Sequence, residues 1–564
     1  MSRALVAVSA TAGALVLGLR GGPLLMRDAV STPRSHLTDA ALGLTETPAR
    51  AVPQDGLLAM VSTVVPGTVA VIAITWLALA LAGIGAGLLA TRVVGGGWAP
   101  QCAAALVAVW NPFVAERLMQ GQWSLLAGYA AVPWIVLAGD RIRRSERGGW
   151  PMLWAAVVGA GLTPTGSLLA AVAVMVAVVS VRDLRRSAAA LAAVVVGALP
   201  WLVATALSPS STPADPAAAG LFALRAEPGL GRVLTALGMG GIWNADAVPG
   251  SRTTWWAGVA TVLLLAVVVA GWVFVVRDLE TTTVASRAAL LALGSASLVV
   301  LASTPPGLSV LEFLIEHVPG AGLLRDTQKF LALLLPAVAI GIAGATRALG
   351  RLLPAGFAFA AVALLVAAPL PDAALRLHPV DLPDDWQRVV AIIPADRGAV
   401  ALWPTGMVRD YSFTTTPSLD PARRLLRAPV LETGQLDVDG KTVDAAPASR
   451  AARVEDLLTR GGGPQELARH GVGWVLVEEP ERNRTPAGLT DPVFSGRYLT
   501  LYRVENPVIV PGASAAKRAV AVGAHLTWLA VLLVALACAV AALDHRKATE
   551  AKTRSKPSAV ADQE

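Results

Sequence analysis

The chain has 564 residues, of which 55% are hydrophobic and only 15% charged, and its mean hydropathy is +0.60. Soluble proteins carry about 25% charged residues, so this composition excludes an ordinary soluble protein and indicates a polytopic membrane protein. The net charge of +7 does not indicate a nucleic-acid partner, because the basic residues are scattered between apolar segments and form no single basic face. The two cysteines, Cys102 and Cys538, both lie in apolar runs, so the sequence offers neither a disulfide framework nor a zinc site.

Apolar runs recur along the whole chain and predict about twelve transmembrane helices. The predicted segments are residues 4–19, 69–89, 100–110, 123–137, 150–162, 167–181, 188–207, 255–276, 288–303, 330–345, 353–370 and 519–543. Several of these segments, notably 100–110, 150–162 and 167–181, are shorter than a full crossing of the bilayer. The sequence therefore predicts a multi-pass helical bundle whose number of crossings is set only approximately.

The arginine residues give a predicted orientation. They recur in alternate connections between the apolar segments, for example at Arg3, Arg92, Arg141 and Arg277, and cytoplasmic loops of membrane proteins carry such an excess. This pattern predicts a plasma (inner) membrane protein with both termini in the cytoplasm and the other connections outside. The predicted divisions are a transmembrane bundle at 1–370, an extracytoplasmic domain at 371–518, a final transmembrane helix at 519–543 and a basic cytoplasmic tail at 544–564.

The segment 371–518 differs from the rest of the chain because its apolar density drops. Runs rich in β-branched residues at 398–402, 473–478 and 498–504 predict strands, and apolar residues at helical spacing predict helices at 386–393, 450–458 and 464–470. Alternating strands and helices favour a small α/β domain. The segment contains no glycine-rich phosphate loop, nucleophile elbow or metal-ligand spacing, so binding or packing against the bundle is favoured over catalysis there.

Polar side chains near an apolar bundle are costly unless they are paired, hydrated or functional, so the polar outward loops carry the candidate sites. In the first loop, Asp28 follows an apolar stretch that keeps it near the interface, where desolvation raises the basicity of a carboxylate. It is a candidate proton acceptor, and the adjacent Arg27 is a candidate phosphate ligand. Alternatively, Asp28 caps a helix or pairs with Arg27.

Two further outward loops supply candidate sugar contacts. Glu116 and Gln120 are four residues apart and would share a helix face, although a surface pair between Glu116 and its neighbouring arginine is the alternative. The third loop offers an aromatic face, an amide and a guanidinium at Trp243, Asn244 and Arg252. A turn rich in glycine and asparagine would have a similar composition.

The fourth loop places Arg325, Asp326 and Lys329 at the predicted start of a membrane helix. At a spacing of i and i+4, Arg325 and Lys329 would point at one anion, and the helix N-terminus would add its partial positive charge. Arg325 and Lys329 are therefore the preferred candidates for binding a phosphate. The alternative is that Asp326 is only the N-cap and that the cations extend to lipid head groups.

The sequences at 26–30, 110–118, 120–124 and 324–330 resemble those of actinobacterial polytopic cell-envelope proteins of the GT-C glycosyltransferase superfamily, especially the arabinofuranosyl- and mannosyltransferase-like proteins. The resemblance covers nearly the whole chain in architecture. It implies a GT-C-like bundle with a small extracytoplasmic α/β domain, a polyprenyl-phosphate sugar donor and a role in cell wall arabinan or mannan biogenesis. It also implies that an acidic residue of the first outer loop is the catalytic base, which here is Asp28.

The resulting hypothesis is a membrane glycosyltransferase that moves a sugar from a polyprenyl-phosphate donor to an envelope polysaccharide or glycolipid at the outer face of the bilayer. Asp28 would deprotonate the acceptor, and Arg325, Lys329 and Arg27 would bind the donor phosphate. The residues expected to contact the sugars are Glu116, Gln120, Trp243, Asn244, Arg252 and Asp326. The alternatives are a flippase for a lipid-linked saccharide and a non-catalytic scaffold. The sequence assigns no cofactor or metal site and leaves a divalent cation open.

Overall fold

The structure is a computed structural model that describes residues 2–18, 22–209, 215–279, 282–374, 377–438, 440–444 and 446–554, with side chains as far as residue 542. The predicted basic tail at 544–564 lies outside the residues whose side chains are described. The α-helices are α1 Arg3–Leu17, α2 Gln54–Val61, α3 Gly67–Val93, α4 Trp98–Val109, α5 Pro112–Met119, α6 Leu125–Arg143, α7 Gly149–Ala160, α8 Pro164–Ala177, α9 Leu184–Leu207, α10 Ala218–Leu221, α11 Gly231–Leu237, α12 Trp256–Asp278, α13 Thr283–Ala302, α14 Pro305–His317, α15 Leu335–Leu349, α16 Ala355–Ala367, α17 Asp384–Ile392, α18 Ala422–Leu425, α19 Arg450–Arg460, α20 Pro464–Arg469 and α21 Ala515–Arg554.

Within the described residues, eight helical segments are long and apolar enough to cross a membrane. They are Gly67–Val93, Trp98–Met119, Leu125–Arg143, Leu184–Leu207, Trp256–Asp278, Thr283–Ala302, Thr327–Leu349 and Ala515–Ala542. Four shorter apolar helices accompany them: Arg3–Leu17, Gly149–Ala160, Pro164–Ala177 and Ala355–Ala367. A mostly helical, multi-pass membrane protein is therefore present. The predicted number of about twelve crossings is not confirmed, because these four helices are shorter than a full span.

The centre of the bundle is formed by α3, α4, α6 and α15, which are largely buried, whereas α9, α12 and α21 expose much of their surface. Small residues permit the closest helix contacts. A Cβ atom added to Gly271 of α12 would lie 1.7 Å from the carbonyl oxygen of Gly341 in α15, so these two backbones are in direct contact. Close approach at glycine is the usual way in which membrane helices pack without a hydrophobic driving force between them.

Several of the arginine-rich connections meet at one end of the bundle. Arg92, at the end of α3, donates from Nε to Asp140 Oδ2 of α6 over 2.6 Å. Arg143 of α6 and Arg287 of α13 both donate to the carbonyl oxygen of Ala177, at the end of α8. This grouping agrees with the sequence-based assignment of these connections to one side. Which side is cytoplasmic stays a prediction.

The α/β region predicted from the sequence is present between the last two transmembrane segments. Its strands are β3 Ala399–Trp403, β4 Val408–Arg409, β5 Ser418–Leu419, β6 Val430–Leu431, β7 Leu436–Val438, β8 Lys441–Val443, β9 Val472–Glu478, β10 Phe494–Ser495 and β11 Leu499–Arg503. Five of them form a mixed sheet in the order β10-β11-β9-β3-β6, in which β9, β3 and β6 are parallel. Alternate residues face opposite sides, so Val400 packs towards α17 and Ala401 towards α19 and α20.

A short hairpin from the N-terminal part of the chain joins the bundle to this α/β region. It consists of β1, Leu25–Met26, and β2, Ala29–Val30. Leu25 and Val30 belong to the same apolar core as Trp386 of α17. Leu24 forms an antiparallel bridge with Pro379, so the hairpin is packed into the α/β region while its tip faces the bundle.

Candidate active site

The tip of this hairpin holds Asp28. Arg27 and Asp28 form a two-residue loop between the paired residues Met26 and Ala29, and Arg27 adopts the left-handed conformation that such loops require, with a φ of 48°. The backbone N–H of Arg27 donates to Pro417 over 2.7 Å. The N–H of Asp28 donates to the carbonyl of Gln120 over 3.1 Å. The loop is therefore clamped between the α/β region and the bundle, which fixes the position of the Asp28 carboxylate.

A glycine after α5 makes this clamp sterically feasible. Gly121 has a φ of 82°, and a Cβ atom on it would lie 2.2 Å from the backbone nitrogen of Ala29 and 2.7 Å from the carbonyl oxygen of Met26. A larger residue would be strained in this conformation and would also displace the hairpin. Gly121 therefore positions Asp28 through direct backbone contact.

The carboxylate of Asp28 is half-buried and lies near the charges of Lys329 and Asp326 and the side-chain amides of Gln122 and Gln120. Burial raises the pKa of Asp28 above its usual value, and the hydrogen bond from Gln122 and the positive charge of Lys329 offset part of this increase. Gln122 Nε2 donates to Asp28 Oδ2 over 3.2 Å. Asp28 and Lys329, which are far apart in the sequence, are thus brought together, and a carboxylate with a raised pKa is suited to accept a proton.

Arg117 of α5 organises the wall beside Asp28. Its side chain is buried, with 1% of the residue exposed, and its guanidinium lies 5.2 Å from the centre of the Phe113 ring. Nη1 donates to Gln122 Oε1 over 2.9 Å, and Nη2 donates to Gln328 Oε1 over 2.7 Å. Arg117 therefore orients the amide that hydrogen-bonds Asp28 and links α5 to the segment that carries Lys329.

The remaining wall comes from the segment after α14. Lys329 Nζ lies 2.8 Å from Asp326 Oδ2. Asp326 Oδ1 and Gln328 Nε2 are buried and have no hydrogen-bond partner among the described residues, and the same is true of Arg117 Nε. Buried polar atoms are normally paired. The group formed by Asp28, Arg117, Gln328, Asp326 and Lys329 thus retains donors and acceptors for a polar ligand, and we call it the Asp28 cluster.

The residues predicted for the site did not include Arg117, Gln122 and Gln328. The alternative that paired Glu116 with Arg117 at the surface is wrong, because the structure buries both side chains on different sides of α5. The available signal was an arginine within an apolar helix that begins with the N-cap Asn111, whose side chain accepts from Val114 N. A buried cation in such a place requires partners and is a candidate site residue.

Arg325 does not join the Asp28 cluster. Its Nη1 donates to Asp444 Oδ2 over 2.5 Å, and Arg50 donates to the same oxygen. Its guanidinium also lies 4.5 Å from the centre of the Phe222 ring. The prediction that Arg325 and Lys329 share one face of an α-helix is wrong, because residues 325–326 separate two 3₁₀ helices, Ala321–Leu324 and Thr327–Leu334. Each cation therefore pairs with a different carboxylate.

Arg27 also binds protein groups through its side chain. Its Nη1 donates to the carbonyl of Met119 over 2.5 Å, and its Nη2 donates to the carbonyl of Asp246 over 2.6 Å. Burial lowers the pKa of Arg27, although the charges of Asp246 and Asp28 act in the opposite direction. Two of the guanidinium nitrogens thus hold the bundle against the hairpin, and the phosphate role of Arg27 stays a prediction.

Glu116 is the clearest correction to the predicted sugar contacts. Its two carboxylate oxygens accept from the backbone N–H groups of Gly241 and Ile242, over 3.0 and 3.1 Å. The residue is 1% exposed. Because this carboxylate is buried and binds two backbone N–H groups, the structure gives Glu116 the role of fixing the loop at Gly241 and Ile242 in place of the predicted sugar contact.

The predicted face that Glu116 shares with Gln120 is present, but it packs against the protein. Gln120 Oε1 accepts from Asn244 Nδ2 over 2.8 Å. Trp243, the preceding residue, packs edge-on against Phe222 with ring centres 4.7 Å apart. Gln120 is buried, while Trp243 and Asn244 are half-buried, so these two keep some surface for a ligand.

Arg252 is likewise excluded from a sugar site by its surroundings. It forms a two-point ion pair with Glu227, in which Nε donates to Oε1 over 2.9 Å and Nη2 donates to Oε2. Nη2 also donates to Thr261 Oγ1 over 3.0 Å. The side chains of Arg252 and Glu227 are each 2% exposed. The predicted role is wrong because the guanidinium is enclosed by protein groups.

No protein family model and no curated protein matches the sequence. Solved structures do match: a cryo-EM structure of the arabinofuranosyltransferase AftD from mycobacteria has a TM-score of 0.58 at 17% identity, covering 91% of this chain and 40% of that chain. A point mutant of the same enzyme gives a TM-score of 0.57 at 16% identity, covering 92% of this chain and 42% of that chain. The chain thus spans about two fifths of the length of these structures. This chain shares its fold with the arabinofuranosyltransferase AftD, which confirms the expected resemblance at the level of the fold.

Proposed function

We propose that this protein is a membrane glycosyltransferase of cell-envelope biosynthesis, which transfers a sugar from a polyprenyl-phosphate donor to an envelope glycan or glycolipid at the outer face of the membrane. The observation that carries the proposal is the Asp28 carboxylate, held at the tip of a clamped hairpin beside Gln122 and Lys329, in a chain with the fold of an arabinofuranosyltransferase. The fold comparison does not specify the donor or the acceptor, so both belong to this proposal.

In the proposed reaction, an acceptor hydroxyl oxygen forms a bond to the anomeric carbon of the donor sugar. The bond between that carbon and the phosphate oxygen breaks, and the polyprenyl phosphate leaves with the bonding electrons. Asp28 accepts the hydroxyl proton. Because burial raises the pKa of Asp28, its carboxylate is a stronger base than an exposed aspartate, which favours this transfer.

The leaving phosphate needs a cation, and Lys329 is the best-placed candidate. Its ammonium group has three N–H donors, and the ion pair with Asp326 engages one side of it. The buried guanidinium of Arg117 adds positive charge to the same cluster. Charges fixed in a partly desolvated site stabilise negative charge as it develops, without reorganising. Arg325 and Arg27 bind protein groups, so this role is assigned first to Lys329 and Arg117.

Sugar hydroxyls are proposed to meet the unpartnered polar atoms of the cluster. Asp326 Oδ1 can accept a hydrogen bond, and Gln328 Nε2 can donate one. Trp243 and Asn244 are half-buried, and Asn244 donates to the side chain of Gln120, whose backbone carbonyl binds the Asp28 N–H. These two residues are therefore the proposed outer contacts.

A deletion strain tests this function against its alternatives. We expect a truncated envelope glycan and accumulation of unused lipid-linked donor, restored by the wild-type chain and not by Asp28→Asn expressed at the same level. Accumulation of a finished lipid-linked saccharide on the cytoplasmic side would instead indicate a flippase. Full restoration by Asp28→Asn would reject the catalytic proposal and favour a scaffold.

A further inference from the structure

The α/β region carries a groove of about 650 Å³ that has no part in the Asp28 cluster. Its walls include Asp381, Asp384, Arg388, Phe413, Arg497 and Tyr498. The volume lies in the range of about 300–1,000 Å³ that is usual for small-ligand sites, and the lining combines aromatic rings with a few charged groups, as such sites do. The groove is therefore large enough for a bound molecule of several rings.

Two aromatic rings form the apolar part of the groove. Phe413 and Tyr498 are half-buried, and their rings meet at 81° with centres 5.2 Å apart. Tyr411 is buried beneath them and stacks on Phe413 at 4.9 Å. The N–H of Tyr498 donates to Asp385 Oδ2 over 2.8 Å, which fixes the backbone of this wall. The guanidinium of Arg497 lies over the Tyr498 ring, 5.3 Å from its centre, so the two rings leave only part of their surface for a ligand.

The charged side chains identify the chemistry of the ligand. Asp381, Asp384, Arg388 and Arg497 are exposed, and among the described residues neither Asp381 nor Asp384 takes part in a side-chain hydrogen bond or ion pair. Carboxylates accept and guanidinium groups donate hydrogen bonds, so the groove can satisfy both functions of a hydroxyl group. The carboxylates disfavour a phosphate. A neutral molecule with many hydroxyl groups and apolar ring faces fits both the rings and the charges.

The groove is directly connected to the hairpin that carries Asp28. Val380, next to Asp381, donates its N–H to the carbonyl of Pro23 over 2.8 Å. Pro23 precedes Asp28 by a short extended segment, so the Cα atoms of Asp381 and Asp28 lie within about 30 Å at the maximum reach of the chain. Leu25 and Val30 of the hairpin also share an apolar core with Phe413 and Tyr498. One oligosaccharide chain is long enough to contact both places.

We propose that this groove binds a neutral oligosaccharide and holds a distal part of the glycan acceptor while its end reaches Asp28. The shape and the lining of the groove alone support the binding of an oligosaccharide. Its identity as the acceptor rests on the proposed transferase function.

The test uses the full chain in detergent and calorimetric titration with a neutral arabino-oligosaccharide. We expect saturable binding, and the double variant D381A/D384A should weaken it about tenfold, the size expected for two lost hydrogen bonds of ordinary strength. These side chains are exposed, so the variant should fold normally. A second variant, Phe413→Ala, should weaken binding through loss of ring contact. The matched control Glu481→Gln changes an exposed carboxylate outside the groove and should bind as the wild type does.

Several outcomes would overturn the proposal: no binding to the wild-type chain, equal affinity in the groove variants and the control, or tighter binding of an oligolysine peptide than of the oligosaccharide. The variant Asp28→Asn separates this proposal from the previous one. If it binds oligosaccharide but transfers no sugar, both hold. If it still transfers sugar, the transferase assignment of Asp28 fails, while the groove is judged by its own variants.

Discussion

Helix α5 separates two buried polar clusters that differ in one property, namely how completely their polar atoms are paired. On one side, Glu116 binds two backbone N–H groups, and the nearby Arg252 binds Glu227 at two points. On the other side, Arg117 and its neighbours leave polar atoms of Asp326 and Gln328 without a partner among the described residues. Glu116 and Arg117 are adjacent in the sequence, and both are 1% exposed.

The comparison shows that burial of a charge does not by itself indicate function. A buried charge that is fully paired stabilises one arrangement of loops, and a ligand finds no donor or acceptor there. A buried cluster with unused donors and acceptors has the capacity to bind a polar substrate. Mutation of the fully paired cluster should therefore change stability, whereas mutation of the Asp28 cluster should change transfer activity.

The largest effect is expected for Asp28→Asn. The amide keeps the shape of the side chain but cannot accept the acceptor proton, so transfer should fall about 10²- to 10⁴-fold, the usual contribution of a general base. The measurement is initial rate with a radiolabelled polyprenyl-phosphoryl pentose donor and purified protein. The control is Asp396→Asn, because Asp396 is an exposed aspartate of the α/β region whose side chain forms no hydrogen bond or ion pair among the described residues. Equal rates for the two variants would contradict a base role for Asp28.

The next effect concerns the fully paired cluster, where Arg252→Leu should reduce stability and not chemistry. Removing the guanidinium leaves Glu227 buried without its ion pair, which typically costs about 3–5 kcal/mol of unfolding free energy. Thermal unfolding in detergent should show a lower midpoint, while transfer per folded molecule stays at the wild-type level.

A double variant sharpens this result. In Arg252→Leu/Glu227→Leu both charges of the ion pair are removed together, so most of the lost stability should return. If the folded single variant instead lost transfer activity, Arg252 would belong to the substrate site, as its position in a polar loop first suggested.

The sequence predicted the architecture better than the site because the two depend on different information. Apolar runs identified the membrane helices, and β-branched runs identified strands near β3, β9 and β11, because hydrophobic periodicity is a local property. Asp28 and Lys329, both polar residues at the ends of apolar segments, lie close enough for their charges to interact, while their roles stay predictions. Their partners Gln122 and Gln328 were missed, because pairing across the bundle is not encoded in local spacing.

The same reason explains the errors. In the sequence, Glu116 and Arg252 resemble Asp28, because all three are charged residues in polar loops. Only the tertiary contacts show that Glu116 and Arg252 already bind protein groups. Arg325 was assigned to the wrong partner because two 3₁₀ helices interrupt the α-helix that its spacing from Lys329 presupposes.

A smaller effect is expected for Gly121→Ala, which tests whether the clamp positions Asp28. The added Cβ would collide with the backbone at Ala29, and misplacement of a catalytic group by about 1 Å can reduce a rate about 10²-fold. The control is Gly320→Ala, because Gly320 has a similar left-handed conformation, with a φ of 86° against 82°, and open space around its Cβ. Both variants carry the backbone strain, so a rate loss specific to Gly121→Ala isolates displacement of the hairpin. Equal losses would show that the clamp is not needed.

The smallest change is expected for Gln122→Leu, and it should appear in the pH dependence of transfer. The hydrogen bond from Gln122 lowers the pKa of Asp28, so its removal should raise that pKa further above the usual value. A base acts only when deprotonated, and activity is lost as the pH falls through its pKa. The acidic limb of the rate profile should therefore move to higher pH in Gln122→Leu, with a nearly unchanged rate on the alkaline side of that limb.

Gln101→Leu provides the matched control, because Gln101 pairs with Ser2 and has no contact with Asp28. Its acidic limb should coincide with that of the wild type. A limb that moves to lower pH in Gln122→Leu, or that moves equally in both variants, would show that the ionisation controlling the rate belongs to a group other than Asp28. The direction of this pH shift thus links the Asp28 cluster to the proton transfer, even though the change in rate is small.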